Sequence, residues 1–209
     1  MAHFYKEKID LNPYQALVFD MDGTIVDSGQ LHEKAWIHVL EKHNIEVNRE
    51  FMRSLAGVPT FQTIERAASR VSVTLTGDDI QKIMNEEEEF VHEHFKDYVK
   101  ATDLESIIKT YHKKVPMAVG TGASTIEAHR FLKQTGLFEY FDAIIGCDQV
   151  KNGKPKGDTF LLAAQKMNVD PKHCIVFEDA EFGFMAAQDA NMDVIDVKLA
   201  YDIHNDYFL

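Results

Sequence analysis

A chain of 209 residues, 45% hydrophobic and 27% charged, can hold one or two domains with substantial cores and has the composition of a folded globular protein. Its formal net charge of −12 argues against a nucleic-acid or anionic-membrane surface, which needs a basic face, but not against a small phosphorylated ligand held at one positive spot. No run approaches the ~20 apolar residues of a bilayer span, and Met1 to Gln15 lacks the apolar stretch of a leader, so no membrane association and a cytosolic location are expected.

In chain order, the first strand-like run is Ala16–Phe19, followed directly by Asp20-Met21-Asp22-Gly23-Thr24. From about Ser28 to Lys100 only helical patterns occur, over Gln30–His43, Phe61–Val71 and Asp78–Tyr98. This stretch enters straight after the first strand and reads as a helical insertion. Within it, the acidic run Glu86–Glu89 reads as a solvated helix face. His92 and His94, two apart on a helix, point to different faces and make no metal pair. Further apolar runs follow at Val115–Val119, Ala143–Ile145, Cys174–Phe177 and Val194–Val197. They are short and do not alternate with polar residues, which suits strands buried on both faces of a parallel sheet. Helical segments lie between them, over Ser124–Gln134, Thr159–Met167 with Asp158 as a candidate cap, and Ala180–Asn191. Strand–helix alternation predicts an α/β doubly wound core. Cys147 and Cys174, both in apolar stretches, read as buried free thiols.

Four strand-end loops carry the chemistry. Asp20 and Asp22 stand two residues apart at the carboxyl end of a strand, and Gly23 permits the turn that lets both face one crevice. Glu178-Asp179 ends a second buried strand. Alone that pair reads more often as a helix cap, but beside Asp20 and Asp22 it would repel by roughly 4 kcal/mol per pair at ~4 Å unless a cation intervened. Oxygen-only ligands suit Mg²⁺. Between these loops lies Gly120-Thr121-Gly122-Ala123-Ser124, whose small residues let backbone amides and the Thr121 hydroxyl approach an anion. A dinucleotide fingerprint is the competing reading of this loop, but Thr125 occupies its third glycine position. Last comes Asn152-Gly153-Lys154-Pro155-Lys156-Gly157-Asp158, where Lys154 could neutralise both a phosphate and a nucleophile.

These four loops, in this order, resemble the motifs of the haloacid dehalogenase superfamily across nearly the whole chain. Lys34-Ala35-Trp36, Pro116-Met117-Ala118-Val119-Gly120-Thr121-Gly122 and Val176-Phe177-Glu178-Asp179-Ala180 are similar to the beta-phosphoglucomutase-like phosphatases, of the bacterial fructose-1-phosphate and 6-phosphogluconate phosphatase type. The resemblance implies a Rossmann-like core with parallel strands in the order 3-2-1-4-5 (residues 1–27 and 101–209) and an inserted all-helical cap (28–100). It implies Asp20 as nucleophile and Asp22 as general acid/base. Thr121, Gly122 and Lys154 would bind phosphate, and Mg²⁺ would sit among Asp20, the Asp22 carbonyl, Asp179 and Glu178. In the cap, His32 and Trp36 lie one helical turn apart and could contact a sugar or pack together. The implied activity is hydrolysis of small sugar phosphates or sugar-acid phosphates through an aspartyl phosphate. No sequence feature marks an obligate interface, so a monomer is expected. The alternative is a sugar phosphomutase. Against it, mutases carry an arginine two residues after the Gly57-Val58 pair, where this chain has Thr60, and the second cap helix is acidic. A non-catalytic binding protein on the same fold is a third reading. Gly157 departs from the family, where proline is usual.

Overall fold

The computed structural model describes residues 9–56, 58–205 and 207–208. Gly57 and residues 1–8 of the N-terminal stretch read above lie outside the described residues. The chain divides into two compact units, one of residues 28–99 with 206–209 and the other of 1–27 with 100–205.

The first unit is helical: α1 (Gly29–Lys42), α2 (Arg49–Ser54), α3 (Thr60–Arg70) and α4 (Gly77–Tyr98). Local chemistry starts two of them. Asn48 caps α2 by accepting the Phe51 N–H at 2.8 Å. Thr76 and Asp79 satisfy each other's backbone amides in a capping box at the start of α4. Apolar positions three and four apart then bury one stripe of each helix, in a cluster of Trp36, Val39, Leu40, Met52, Ile64, Ala67 and Ile83, joined by Phe208 from the far end of the chain. The acidic run departs from its expected solvated face. Glu88 and Glu89 are exposed, but Glu87 is buried and Glu86 is held by Lys42 and His43 at 3.0 and 2.8 Å, because α1 packs against that side of α4. His94 and His92 do diverge, the first against the Phe90 carbonyl and the second beside the Phe95 ring.

The second unit is built on a sheet. Its strands are β1 (Ala16–Phe19), β2 (Val26–Asp27), β3 (Lys100–Ala101), β4 (Met117–Gly120), β5 (Ala143–Ile145), β6 (Cys174–Glu178) and β7 (Asp193–Asp196). Five form one parallel sheet in the order β5-β4-β1-β6-β7, which in chain order is the expected 3-2-1-4-5. The helices are α5 (Glu105–Tyr111), α6 (Thr125–Gln134), α7 (Asp158–Met167), α8 (Glu181–Asp189) and α9 (Val197–Tyr201). Val18, Ala118 and Val176 from the central strands bury against Phe160, Ala163 and Ala164 of α7 and Ala186 and Ala187 of α8. The short antiparallel pair β2–β3 forms where the chain leaves for the helical unit and returns from it.

Two local expectations change. Cys174 is buried in β6, but Cys147 is exposed, because β5 ends at Ile145 and a 3₁₀ turn over Cys147–Gln149 carries the thiol out of the sheet. Asp158 does not cap α7. Its carboxylate turns back to accept from the backbone and side-chain nitrogens of Asn152, at 3.2 and 3.0 Å, and so closes the lysine loop.

Candidate active site

Strand register brings three of the four motif loops to one edge. Phe19 of β1 lies beside Val119 of β4 and Phe177 of β6, so Asp20, Thr121 and Glu178 leave the sheet side by side. The chain moves from β1 towards β4 and β5, then crosses back to β6, and a ligand crevice belongs at that reversal, outside the carboxyl ends of the strands. Asp20 is 6% exposed, and its N–H is fixed by the Phe177 carbonyl at 2.9 Å.

Lys154 reaches into this cluster from its loop. Its Nζ donates to Asp20 Oδ1 at 2.5 Å and to Glu178 Oε1 at 2.8 Å, while resting 4.7 Å from the centroid of the Phe160 ring. Glu178 is engaged on both oxygens, since Oε2 accepts the N–H groups of Asp179 and Ala180 at 2.6 and 2.7 Å. A Cβ at Gly183 would overlap the Glu178 carboxylate, so glycine there lets α8 pack without displacing it. Gly23 meets a similar demand. Its φ of +81° is left-handed, and a Cβ would come within 2.6 Å of Asp179 Oδ2. The unusual Gly157 also has a local reason, because its N–H donates to Asp189 Oδ2 at 2.8 Å and proline has no N–H to give.

The remaining candidates are distributed as follows. Thr121 is buried, its N–H tied to the Ile145 carbonyl and its Oγ1 accepting from Ala123 N at 3.0 Å, so its hydroxyl hydrogen is the group it can offer an anion. Gly122 has open space where a side chain would stand. Asp22 is half-buried in the turn after β1, with a carboxylate oxygen within 4.8 Å of one on Glu127. In the helical unit, His32 lies 3.5 Å from Glu87. Trp36, at 6% exposure, sits in that unit's apolar cluster, which favours packing over sugar contact.

One residue escaped the sequence reading. Lys198, in the first turn of α9, donates to the Asp179 main-chain oxygen at 2.7 Å and pairs with Asp179 Oδ2 at 3.0 Å. Its only signal was its place two residues beyond the last strand, at the same sheet edge.

The cluster is one that could hold a metal ion. Carboxylate oxygens of Asp20, Glu178 and Asp179 lie within 4.8 Å of one another. Burial drives the Asp20 carboxyl well above its ordinary range. Lys154 opposes that rise, while Glu178 and Asp179 add to it. Burial and the Glu178 charge likewise lift Asp179 to about 6 against the pull of Lys198. For Lys154, burial favours the neutral amine, but the charges of Asp20 and Glu178 outweigh it and hold the ammonium. Two carboxyls pushed upward by burial and by neighbouring carboxylate charge, in an all-oxygen donor set, fit a hard divalent ion.

Comparison with known proteins agrees with this geometry. The haloacid dehalogenase-like hydrolase family matches residues 17–197. The chain is 41% identical over 186 residues, 89% of its own length and 97% of the relative's, to fructose-1-phosphate phosphatase YqaB of Escherichia coli. It is 30% identical to a phosphorylated carbohydrates phosphatase of Thermotoga maritima, covering 87% of this chain and 83% of that one. Among solved structures, beta-phosphoglucomutase of Clostridium difficile superposes with a TM-score of 0.76 at 25% identity, over 87% of this chain and 83% of that chain. This chain belongs to the haloacid dehalogenase-like hydrolases.

Proposed function

We propose that this protein is a Mg²⁺-dependent phosphatase that hydrolyses small sugar phosphates or sugar-acid phosphates, with Asp20 as its nucleophile. The observation that carries the reading is Lys154 bridging the buried Asp20 and Glu178, with the half-buried Asp179 carboxylate beside them. The relatives named above, one a fructose-1-phosphate phosphatase and one a phosphatase of phosphorylated carbohydrates, support the substrate class.

Asp20 attacks phosphorus and the bond to the sugar oxygen breaks, leaving an aspartyl phosphate and an alkoxide that takes its proton from Asp22. Asp22, now a carboxylate, accepts a proton from the water that attacks the phosphoaspartate, which restores Asp20 and releases inorganic phosphate. The Lys154 ammonium and the Thr121 hydroxyl offset charge on the transferred group, with the open backbone at Gly122 beside them. Glu178 holds Lys154 in place and is itself pinned by two amides. Mg²⁺ would be held by Asp20, Asp179, the Asp22 carbonyl and, in its vicinity, Glu178, and supplies charge neutralisation and orientation of the phosphoryl group. Acid–base catalysis accounts for only about 10²–10⁴ in rate, so positioning and charge must supply most of the acceleration.

Residues 28–99 act in this reading as the cap that recognises the alcohol portion, with His32 the better candidate for contact and Trp36 the packing residue. Among the described residues no helix is long and apolar enough to cross a membrane. The reading includes a monomeric, cytosolic enzyme, which light scattering and cell fractionation test.

The deciding experiment incubates the protein with Mg²⁺ and a panel of hexose, pentose and sugar-acid monophosphates. Stoichiometric release of inorganic phosphate, abolished by Asp20→Asn, is expected. An isomerised sugar phosphate without release would establish the mutase alternative instead, and no turnover of any substrate would overturn both.

A further inference from the structure

Residues after 197 lie beyond the part of the chain matched by the family. They nevertheless touch the chemistry at one end and the helical unit at the other. At the first end Lys198 grips Asp179 through both its main-chain and its carboxylate oxygen. Seven residues on, Asn205 packs at the turn of the first motif, where a Cβ on Gly23 would meet Asn205 Nδ2 at 2.9 Å and Asp179 Oδ2 at 2.6 Å. Both anchors lie within the sheet unit. Two residues beyond Asn205 the chain is part of the helical unit. There Phe208 is fully buried in the apolar cluster with Trp36, Leu40 and Met52. Its N–H donates to Glu33 Oε2 at 2.7 Å, and its carbonyl accepts from Arg53 Nε at 2.9 Å and also from Arg53 Nη2. Arg49 braces the same spot, pairing with Glu33 at 2.7 Å and lying 5.8 Å from the Phe208 ring centroid. The helical unit therefore holds this segment by one aromatic side chain and by both polar groups of its backbone. That is a specific grip, because each buried backbone group has a partner.

The chain crosses between the two units three times, after Asp27, after Val99 and after Asn205. The first two crossings emerge side by side from the antiparallel pair β2–β3, a single two-stranded connection that we take as the hinge. We propose that residues 198–208 form a strap: a third covalent crossing, anchored on the Asp179 loop at one end and in the helical unit at the other, that restrains movement about the β2–β3 hinge and ties it to the loop carrying Asp179. A two-stranded hinge leaves rotation about itself cheap. A third short link, held at both ends, removes that freedom, and its effect falls as the link lengthens. The strap does not depend on which substrate the site takes.

The test keeps both anchors and lengthens only the link. Eight Gly/Ser residues inserted between Asn205 and Asp206 of the full chain leave Lys198 and Phe208 in place. Amide hydrogen exchange is then compared with the parent, without substrate, over three regions: α1 and α2 around the Phe208 pocket, the hinge residues 26–29 and 99–102, and the Asp179 loop. The expected result is unchanged protection in α1 and α2, with exchange at least about threefold faster at the hinge and in the Asp179 loop. Unchanged exchange at the hinge, with the pocket still protected, overturns the strap and leaves Phe208 as a packing residue only. Loss of protection in α1 and α2 overturns it too, since a grip that fails once its link is lengthened is no anchor. Because the readout is exchange and not turnover, failure of the phosphatase reading would leave it intact.

Discussion

Lys154 is the only described ammonium bonded to both Asp20 and Glu178, and the energetics of the site turn on it. The side chains of this pair are about one-tenth exposed or less, so removing one partner leaves a buried charge uncompensated. Lys154→Met is expected to destabilise the metal-free protein by about 3–5 kcal/mol in urea denaturation, besides removing activity. Asp20→Asn removes the nucleophile and, under the proposed chemistry, lowers phosphate release by on the order of 10⁴-fold or more while leaving the fold intact by circular dichroism. The pH behaviour follows from Asp179. A carboxyl whose folded value is about 6, against 3.8 unperturbed, binds more protons folded than unfolded between those values. The metal-free protein thus gains stability from this group below the lower value and loses it as pH rises through about 6. A metal ion competes with that same proton. Calorimetric Mg²⁺ titrations should therefore show affinity falling as pH drops below about 6, with proton release on binding; affinity independent of pH from 5 to 7 would contradict this assignment.

At the scale of elements, the site is built by strands that end together and by helices that leave room for the acids. Helix α8 lies against β6 without disturbing the Glu178 carboxylate because position 183 carries no side chain there. Gly183→Ala is expected to cost about 1–3 kcal/mol of stability by overpacking and to lower turnover with it, because Glu178 holds Lys154. Helix α7 contributes Phe160, whose ring supports the same lysine. In the helical unit the comparable plug is Phe208. Truncating it to alanine should cost about 3–5 kcal/mol, seen as lost amide protection in α1 and α2 and not in the five-stranded parallel sheet. These elements were unequally legible. Strands β1, β4 and β6 stood out because strands buried on both faces need continuous apolar runs, while the edge strands β5 and β7, expected to be buried on both faces as well, are only partly buried and showed through shorter apolar runs. The helices α2, α5 and α9, of five to seven residues, and the two-residue strands β2 and β3 did not. Segments so short carry no full period of pattern and take their conformation from what they pack on.

For the whole molecule, the proposed Mg²⁺ site links stability to cation concentration. Mg²⁺ at 100 times its dissociation constant should stabilise the protein by about 2.7 kcal/mol, read as a rise in melting temperature that a chelator reverses and that Asp179→Asn diminishes. The sequence alone was enough for the alternation that makes an α/β sheet, for the helical insertion, and for the four loops bearing Asp20, Thr121, Lys154 and Glu178. Those features are local, since each functional residue directly follows its own strand or lies in a short loop. Only tertiary structure decided that Lys198 grips Asp179, that Cys147 faces outward, that Asp158 closes a loop and caps nothing, and that Phe208 belongs with residues 28–99. In each case the partner is chosen by packing or by a hydrogen bond across the chain, and for Phe208 the pocket is assembled from Glu33 and Arg53, more than a hundred residues away. A five-residue helix or a short tail carries no pattern of its own that could announce such a partner.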